Sequence, residues 1–166
     1  AVETTVTDET DLRTALSIGG TVKLGEKINL AAALEINNTV TLDLNGYEIA
    51  RGAYFGVINA VNINDGGHLT LTDSSNGIGA ISDFDGSVHV LAGGTFTMNG
   101  GRLLAGRALG GDIRARGGGV LVDKDGLFVM NGGLIESCLA NGDVGGVYVN
   151  GMFRMTGGTI YNCGTE

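Results

Sequence analysis

The sequence predicts an all-β fold, a right-handed single-stranded parallel β-helix (a β-solenoid) of about six rungs with a short N-terminal capping helix. Two observations support this prediction, namely the composition and an internal repeat. The chain of 166 residues contains 31 glycines and no proline. This composition suits many short strands joined by tight turns, because glycine adopts positive φ easily and proline would remove a ladder hydrogen bond.

The repeat is a phenylalanine-containing strand followed by a Gly-Gly corner, and it occurs at residues 94–101, 126–133 and 151–158. Its period is 32 residues between the first two phenylalanines and 25 between the last two. A Val-x-Val strand precedes each copy and a short strand follows it, so one rung holds three strands. Because residues i and i+2 face the same side of a strand, the aromatic and methionine side chains should stack inside the coil. They are Phe96, Met98, Phe128, Met130, Phe153 and Met155.

The predicted domain covers residues 1–166, with a helical cap at 1–20 and the rungs at 21–166. Leu12, Ala15 and Leu16 have helical spacing, and Gly19-Gly20 ends the pattern. Such a helix would cover the exposed strand edges of the first rung. The other end has no such pattern. We therefore expect either further domains of the same polypeptide after residue 166 or a partner that covers the last rung.

Charge and hydropathy exclude two classes of partner. The net charge is −8, whereas proteins that bind nucleic acid or anionic lipid need a cationic surface. No apolar run approaches the ~20 residues of a membrane-spanning helix. We therefore expect neither nucleic-acid binding nor membrane insertion.

Several motifs resemble a known family. They are the segment at 10–16, the Val-Thr-Leu-Asp-Leu-Asn-Gly-Tyr-Glu-Ile run at 40–49, and the units at 145–149 and 155–160. Together they resemble the pectate-lyase-like right-handed β-helix domains of surface proteins from Gram-positive, gut-type bacteria. The resemblance implies an extracellular location, secreted or attached to the cell wall. Because this fold serves lyases, hydrolases, adhesins and inert stalks, it does not by itself decide the activity.

The candidates for acid–base chemistry are Asp83 and Asp85, which lie close together in the sequence. Glycoside hydrolases use such carboxylate pairs, and clustered carboxylates can also bind Ca²⁺. However, Asp-x-Asp-Gly is typical of an ordinary turn. We therefore assign no catalytic residue, expect no metal or other cofactor, and leave Ca²⁺ open. His68 and His89 are interpreted as structural or surface residues.

The candidate ligand-binding loop is arginine-rich. It follows the first repeat copy and carries four of the ten basic residues of the chain, namely Arg102, Arg107, Arg114 and Arg116. Arginine is suited to forked recognition of carboxylate or sulfate, so this loop is a candidate contact for an anionic glycan or a host surface protein. The alternative interpretation is a solvated loop whose arginines pair with nearby aspartates.

Three functions remain open at this stage. The leading one is a non-enzymatic module of a bacterial surface protein, acting as adhesin or stalk with a glycan or host-protein ligand. The alternatives are a polysaccharide lyase or glycoside hydrolase, and a structural spacer without a ligand. Cys138 and Cys163 should occupy equivalent positions one rung apart, as a column of two thiols or as a disulfide, and we favour the thiols.

Overall fold

The computed structural model describes residues 2–53, 59–104, 117–140 and 144–165, together with the backbone of residues 107–108. The described protein is mostly β, with one helix, α1 (Glu9–Ile18). The strands are β1 (Glu3–Val6), β2 (Gly20–Leu24), β3 (Ile28–Leu30), β4 (Leu34–Ile36), β5 (Thr39–Asp43), β6 (Glu48–Arg51), β7 (Asn59–Ile63), β8 (His68–Thr72), β9 (Ala80–Ser82), β10 (Gly86–Val90), β11 (Thr95–Met98), β12 (Arg102–Leu104), β13 (Arg107–Ala108), β14 (Val120–Val122), β15 (Leu127–Met130), β16 (Leu134–Glu136), β17 (Leu139–Ala140), β18 (Val147–Val149), β19 (Met152–Met155), β20 (Thr159–Tyr161) and β21 (Gly164–Thr165).

These strands form four parallel sheets. The seven-stranded sheet has the order β1-β2-β5-β8-β11-β15-β19, the six-stranded sheet β3-β6-β9-β12-β16-β20, the five-stranded sheet β4-β7-β10-β14-β18, and the three-stranded sheet β13-β17-β21. Within each sheet the strands therefore follow one another in chain order. Helix α1 joins β1 to β2, and between every later pair of neighbouring strands of one sheet the chain contributes strands to other sheets.

The repeat predicted from the sequence aligns in register. Phe96 pairs with Phe128 and Phe128 with Phe153 in the seven-stranded sheet. The ring centroids of each pair lie 4.9 Å apart, with interplanar angles of 11° and 17°. Phe96 and Phe128 are fully buried and Phe153 is half-buried. The predicted phenylalanine stack is therefore confirmed, with Met98 and Met130 buried beside it. The last copy departs from the prediction, because Phe153 is only half-buried and Met155 is 44% exposed.

The Gly-Gly corners between the seven-stranded and six-stranded sheets are held by a ladder of polar side chains. Asn131 donates to Asn99 Oδ1 at 2.9 Å, and Thr156 donates to Asn131 Oδ1 at 2.7 Å. Gly133 has a φ of +85°, and a Cβ there would lie 2.5 Å from Met98 Cε. The corner thus needs glycine for both its backbone conformation and its close packing.

Helix α1 covers one end of the sheets. Its N-terminus is capped by Asp8, whose carboxylate accepts from the Asp11 N–H at 2.8 Å. Leu12 and Leu16 are buried in the core, while Arg13 donates to the Ala33 carbonyl oxygen at 2.8 Å. The predicted cap at 1–20 therefore contains the expected helix, and it also contains β1, which the sequence pattern does not reveal. No helix among the described residues is long and apolar enough to cross a membrane.

Candidate functional site

A row of polar side chains lies on the outer face of the five-stranded sheet. We call it the polar strip and define it by six side chains: Glu35, Asn37, Asn62, Asn64, His89 and Asp123. Glu35, Asn62 and His89 lie side by side on three neighbouring strands, because Glu35 pairs with Asn62 and Asn62 with His89. Each is flanked along its strand by buried aliphatic residues, so each side chain faces away from the core.

One part of the polar strip is an amide and carboxylate cluster. Asn62 donates to Glu35 Oε1 at 2.7 Å, and Asn64 donates to Glu35 Oε2 at 2.9 Å. Asn64 also donates to Asn37 Oδ1 at 2.9 Å. Glu35 and Asn37 are exposed and the other two are half-buried, so the cluster is held in place and still accessible to a ligand.

The other part of the polar strip is centred on His89. Its Nε2 lies 2.9 Å from Asp123 Oδ2, and its Nδ1 lies 3.3 Å from Asn59 Nδ2. An ionised carboxylate only accepts hydrogen bonds, so His89 Nε2 carries the proton that binds Asp123. In the neutral ring, Nδ1 then accepts from the Asn59 amide. Both ring nitrogens are engaged, so His89 connects Asn59 on β7 with Asp123, which follows β14.

The two candidate carboxylates, Asp83 and Asp85, lie in the turn between β9 and β10 and make different contacts. Asp85 Oδ1 accepts from Arg51 Nη1 at 2.9 Å. Asp83 is exposed and has a positive φ of 64°, and its backbone N–H donates to the Leu104 carbonyl oxygen at 3.3 Å. A positive φ at an aspartate is typical of a turn residue. Among the described residues, no group of three or more His, Cys, Asp or Glu side chains is placed to hold a metal ion.

The four arginines of the predicted ligand-binding loop are only partly described. Arg102 on β12 donates to Glu136 on β16, with 3.1 Å between Nη2 and Oε2. The backbone of Arg107 lies in β13 and pairs with Leu139, while its side chain is outside the described part. Arg114 and Arg116 also lie outside the described residues. The loop as a whole therefore remains a prediction, and its one described guanidinium is neutralised by a glutamate.

Three further acidic side chains have lowered pKa values, and all three connect turns or strands. Burial raises the pKa of Asp43, but hydrogen bonds from Ser74 and Asn45 outweigh it and the pKa falls below its ordinary value. Hydrogen bonds from Lys27 and Ser82 lower the pKa of Glu48. For Glu9, burial raises the pKa, but the contacts with Arg13 and the Ala31 N–H outweigh this effect, and the pKa falls below its ordinary value. Each carboxylate contacts neighbouring parts of the fold, which makes all three structural.

The two thiols are equivalent, as predicted. Cys138 Sγ donates to the Leu103 carbonyl oxygen at 3.8 Å, and Cys163 Sγ donates to the Ile135 carbonyl oxygen at 3.7 Å. Leu103 and Ile135 are themselves register partners, so the cysteines repeat one contact in successive layers. Both thiols are unbridged, with Cys138 buried and Cys163 half-buried.

No family model, curated protein or solved structure matches this chain. The polar strip was not anticipated as a site, since its residues come from segments separated by 27 to 34 positions. Only the outward-facing positions of β4, β7 and β10 signal it in the sequence. Those positions can be recognised as neighbours only when the pairing register of the strands is known.

Proposed function

We propose that the chain is a single right-handed parallel β-helix domain of about six rungs, related to the pectate-lyase-like class. The chain-order succession of strands in every sheet supports this architecture. So do the phenylalanine rings spaced at 4.9 Å, which match the separation of stacked strands. The right hand follows from the general handedness of parallel crossover connections.

We further propose that this domain is a non-enzymatic extracellular module of a bacterial surface or secreted protein. It would serve as a stalk that also binds a glycan through the polar strip. The observation that carries this proposal is the fixed row of amide and carboxylate groups on the outer face of the five-stranded sheet. Sugar hydroxyls both donate and accept, and such a row offers partners for both roles.

The charge of the polar strip favours a neutral, hydroxyl-rich glycan. Glu35 and Asp123 are its two charged groups, and both would repel a uronate or sulfate. Arg102 is paired with Glu136, so this arginine adds no strong attraction for an anion. An anionic glycan or a host protein would instead need the loop arginines at 107, 114 and 116.

The contacts of His89 and Asp85 favour binding over catalysis at these two residues, while Asp83 is an exposed carboxylate in a turn. Both ring nitrogens of His89 have partners, and Asp85 is committed to Arg51. A general base needs an available nitrogen or oxygen within hydrogen-bond reach of the substrate. The alternatives are a polysaccharide lyase or hydrolase and an inert spacer. One experiment distinguishes both of them from the glycan-binding module.

The experiment is a glycan-array screen of the 166-residue chain with neutral, uronate-containing and sulfated glycans, in which every ligand is also assayed for cleavage. We expect binding of a neutral glycan without cleavage. Replacing Glu35 and Asn62 together by alanine should weaken it by about tenfold or more, because each lost hydrogen bond is worth about 1 kcal/mol.

Thr70→Ala is the matched control, since Thr70 is a half-buried, outward-facing polar residue on the seven-stranded sheet. It should leave the Kd unchanged. Binding that is lost only in the Arg107, Arg114 and Arg116 triple alanine variant would move the site to the loop. Cleavage products would establish the enzyme, and no binding to any glycan would favour the spacer.

A further inference from the structure

The chain contains six Asn-Gly pairs, and the fold treats them differently. In such a pair the asparagine amide is exposed to attack by the next backbone nitrogen, because glycine has no Cβ to keep the two groups apart. The pairs begin at Asn45, Asn76, Asn99, Asn131, Asn141 and Asn150. The pair at Asn141 lies outside the described residues.

The pair Asn76-Gly77 lies in the exposed turn between β8 and β9. The Asn76 backbone N–H donates to Ser75 Oγ. Among the described residues, neither the Asn76 side-chain amide nor the Gly77 N–H has a hydrogen-bond partner. A Cβ built at Gly77 would meet no other part of the described chain within 4 Å. The two groups that must react are therefore unrestrained and open to water.

The pair Asn45-Gly46 is held at both reacting groups. The Gly46 N–H donates to Asp73 Oδ1 at 2.7 Å, and the Asn45 side-chain amide donates to the Leu24 carbonyl oxygen at 3.0 Å. Each hydrogen bond that must open before the reaction lowers the population of the reactive arrangement by about fivefold. The fold therefore protects this pair.

The pairs that begin at Asn99 and Asn131 restrain each other at the Gly-Gly corner. The Asn131 side-chain amide donates to Asn99 Oδ1 at 2.9 Å, and Thr156 donates to Asn131 Oδ1 at 2.7 Å. The Gly132 N–H also donates to the Met98 carbonyl oxygen at 3.2 Å. Both asparagine side chains are therefore fixed.

The pair Asn150-Gly151 is exposed, but its backbone is tied to the neighbouring layer. The Asn150 N–H donates to the Val122 carbonyl oxygen at 2.8 Å. A Cβ built at Gly151 would lie 2.4 Å from the Asp123 carbonyl oxygen. This close packing limits the movement of the Gly151 nitrogen toward the Asn150 amide.

We propose that, among the described Asn-Gly pairs, Asn76-Gly77 is the one at which the folded chain deamidates. The Gly77 nitrogen bonds to Asn76 Cγ and loses its proton, while the Cγ–Nδ2 bond breaks and ammonia leaves with a proton. Water then opens the succinimide ring and returns a proton to the Gly77 nitrogen. Opening at Cγ gives aspartate, and opening at the Asn76 backbone carbonyl carbon gives isoaspartate.

The modification changes the turn and leaves the polar strip intact. Either product adds one negative charge to a chain whose net charge is −8. Isoaspartate also lengthens the backbone of the turn by one carbon. Asn62 and Asn64 of the polar strip are followed by Ile63 and Asp65, so neither belongs to an Asn-Gly pair. This proposal goes beyond glycan binding and does not depend on it.

The test is peptide mapping by mass spectrometry of the full chain kept in warm, mildly alkaline buffer, once folded and once unfolded in urea. The unfolded sample gives the rate of each pair without the fold. For Asn76 the two rates should differ by less than about fivefold, the effect of one hydrogen bond. For Asn45 and Asn131 folding should slow the reaction at least about twentyfold, because two hydrogen bonds must open.

Asn131→Ala removes the donor that holds Asn99, so conversion of Asn99 should become about fivefold faster while that of Asn76 stays unchanged. Thr70→Ala is the matched control and should change neither rate, and circular dichroism checks that both variants keep their fold. The proposal is overturned if another described Asn-Gly pair converts as fast as Asn76 in the folded chain. It is equally overturned if folding slows Asn76 as strongly as it slows Asn45.

Discussion

Asp43 shows how a single carboxylate can fix the turns between two sheets. Its Oδ1 accepts from the Asn45 N–H at 2.9 Å and from the Ser74 N–H at 2.8 Å, and Lys23 Nζ lies 3.8 Å from its Oδ2. The residue is only 5% exposed. The bond to Asn45 stays within one turn, whereas Ser74 lies 31 residues away in the sequence.

Replacing Asp43 by alanine should lower the free energy of unfolding by about 2 kcal/mol at pH 7, since two N–H groups lose their acceptor. The folded-state pKa of Asp43 lies below its ordinary value of 3.8. Its stabilising contribution is therefore present above that value and is lost as the pH falls through the lower, folded-state pKa. Urea unfolding from pH 7 downward should show the difference between parent and variant shrinking only below about pH 4.

Glu26→Ala is the control for this series, because Glu26 is an exposed residue in the turn between β2 and β3. It should change the unfolding free energy by no more than about 0.5 kcal/mol. A difference between Asp43→Ala and the parent that is absent at pH 7, or that grows on acidification, would contradict the role given to Asp43.

At the scale of single elements, the sequence predicts strands best where the repeat is intact. Strands β11, β15 and β19 share the Phe-x-Met pair and the glycines that follow, so self-similarity identifies them. Strand β1 has three exposed residues out of four, and β4 has only three residues, so neither shows a pattern that stands out. Both become strands because a neighbouring strand offers hydrogen bonds in register, which is a tertiary effect.

The phenylalanine column gives an element-scale prediction. Phe128→Ala should lower the free energy of unfolding by about 4 kcal/mol, because it removes a fully buried ring stacked on both sides. Phe153→Ala should cost about 2 kcal/mol or less, because Phe153 is half-buried and stacks on one ring. Denaturant unfolding of both variants measures the difference.

Val129→Ala provides the comparison within the same strand, since Val129 is half-buried and faces outward. Val129→Ala should lower the free energy of unfolding by less than either phenylalanine variant does. Equal losses for Phe128→Ala and Phe153→Ala would contradict the description of the column, because they would mean that both rings are equally enclosed.

At the scale of the whole molecule, composition and repeat predict the mostly β, parallel organisation, while the candidate site depends on long-range register. Asn62, His89 and Asp123 meet only because strands separated by about one repeat length lie side by side. The residues that flank Asn62, His89 and Asp123 in the sequence do not indicate that these three side chains lie close together.

The central claim is that the repeated segments stack as parallel strands with one phenylalanine above the next. The most direct measurement is a set of interstrand nuclear Overhauser effects on isotopically labelled chain. The account predicts contacts between the backbones of Phe96 and Phe128 and of Phe128 and Phe153, in the parallel pattern, with ring-to-ring contacts along the column. Antiparallel contacts, or the absence of contacts between these three segments in a folded chain, would contradict it.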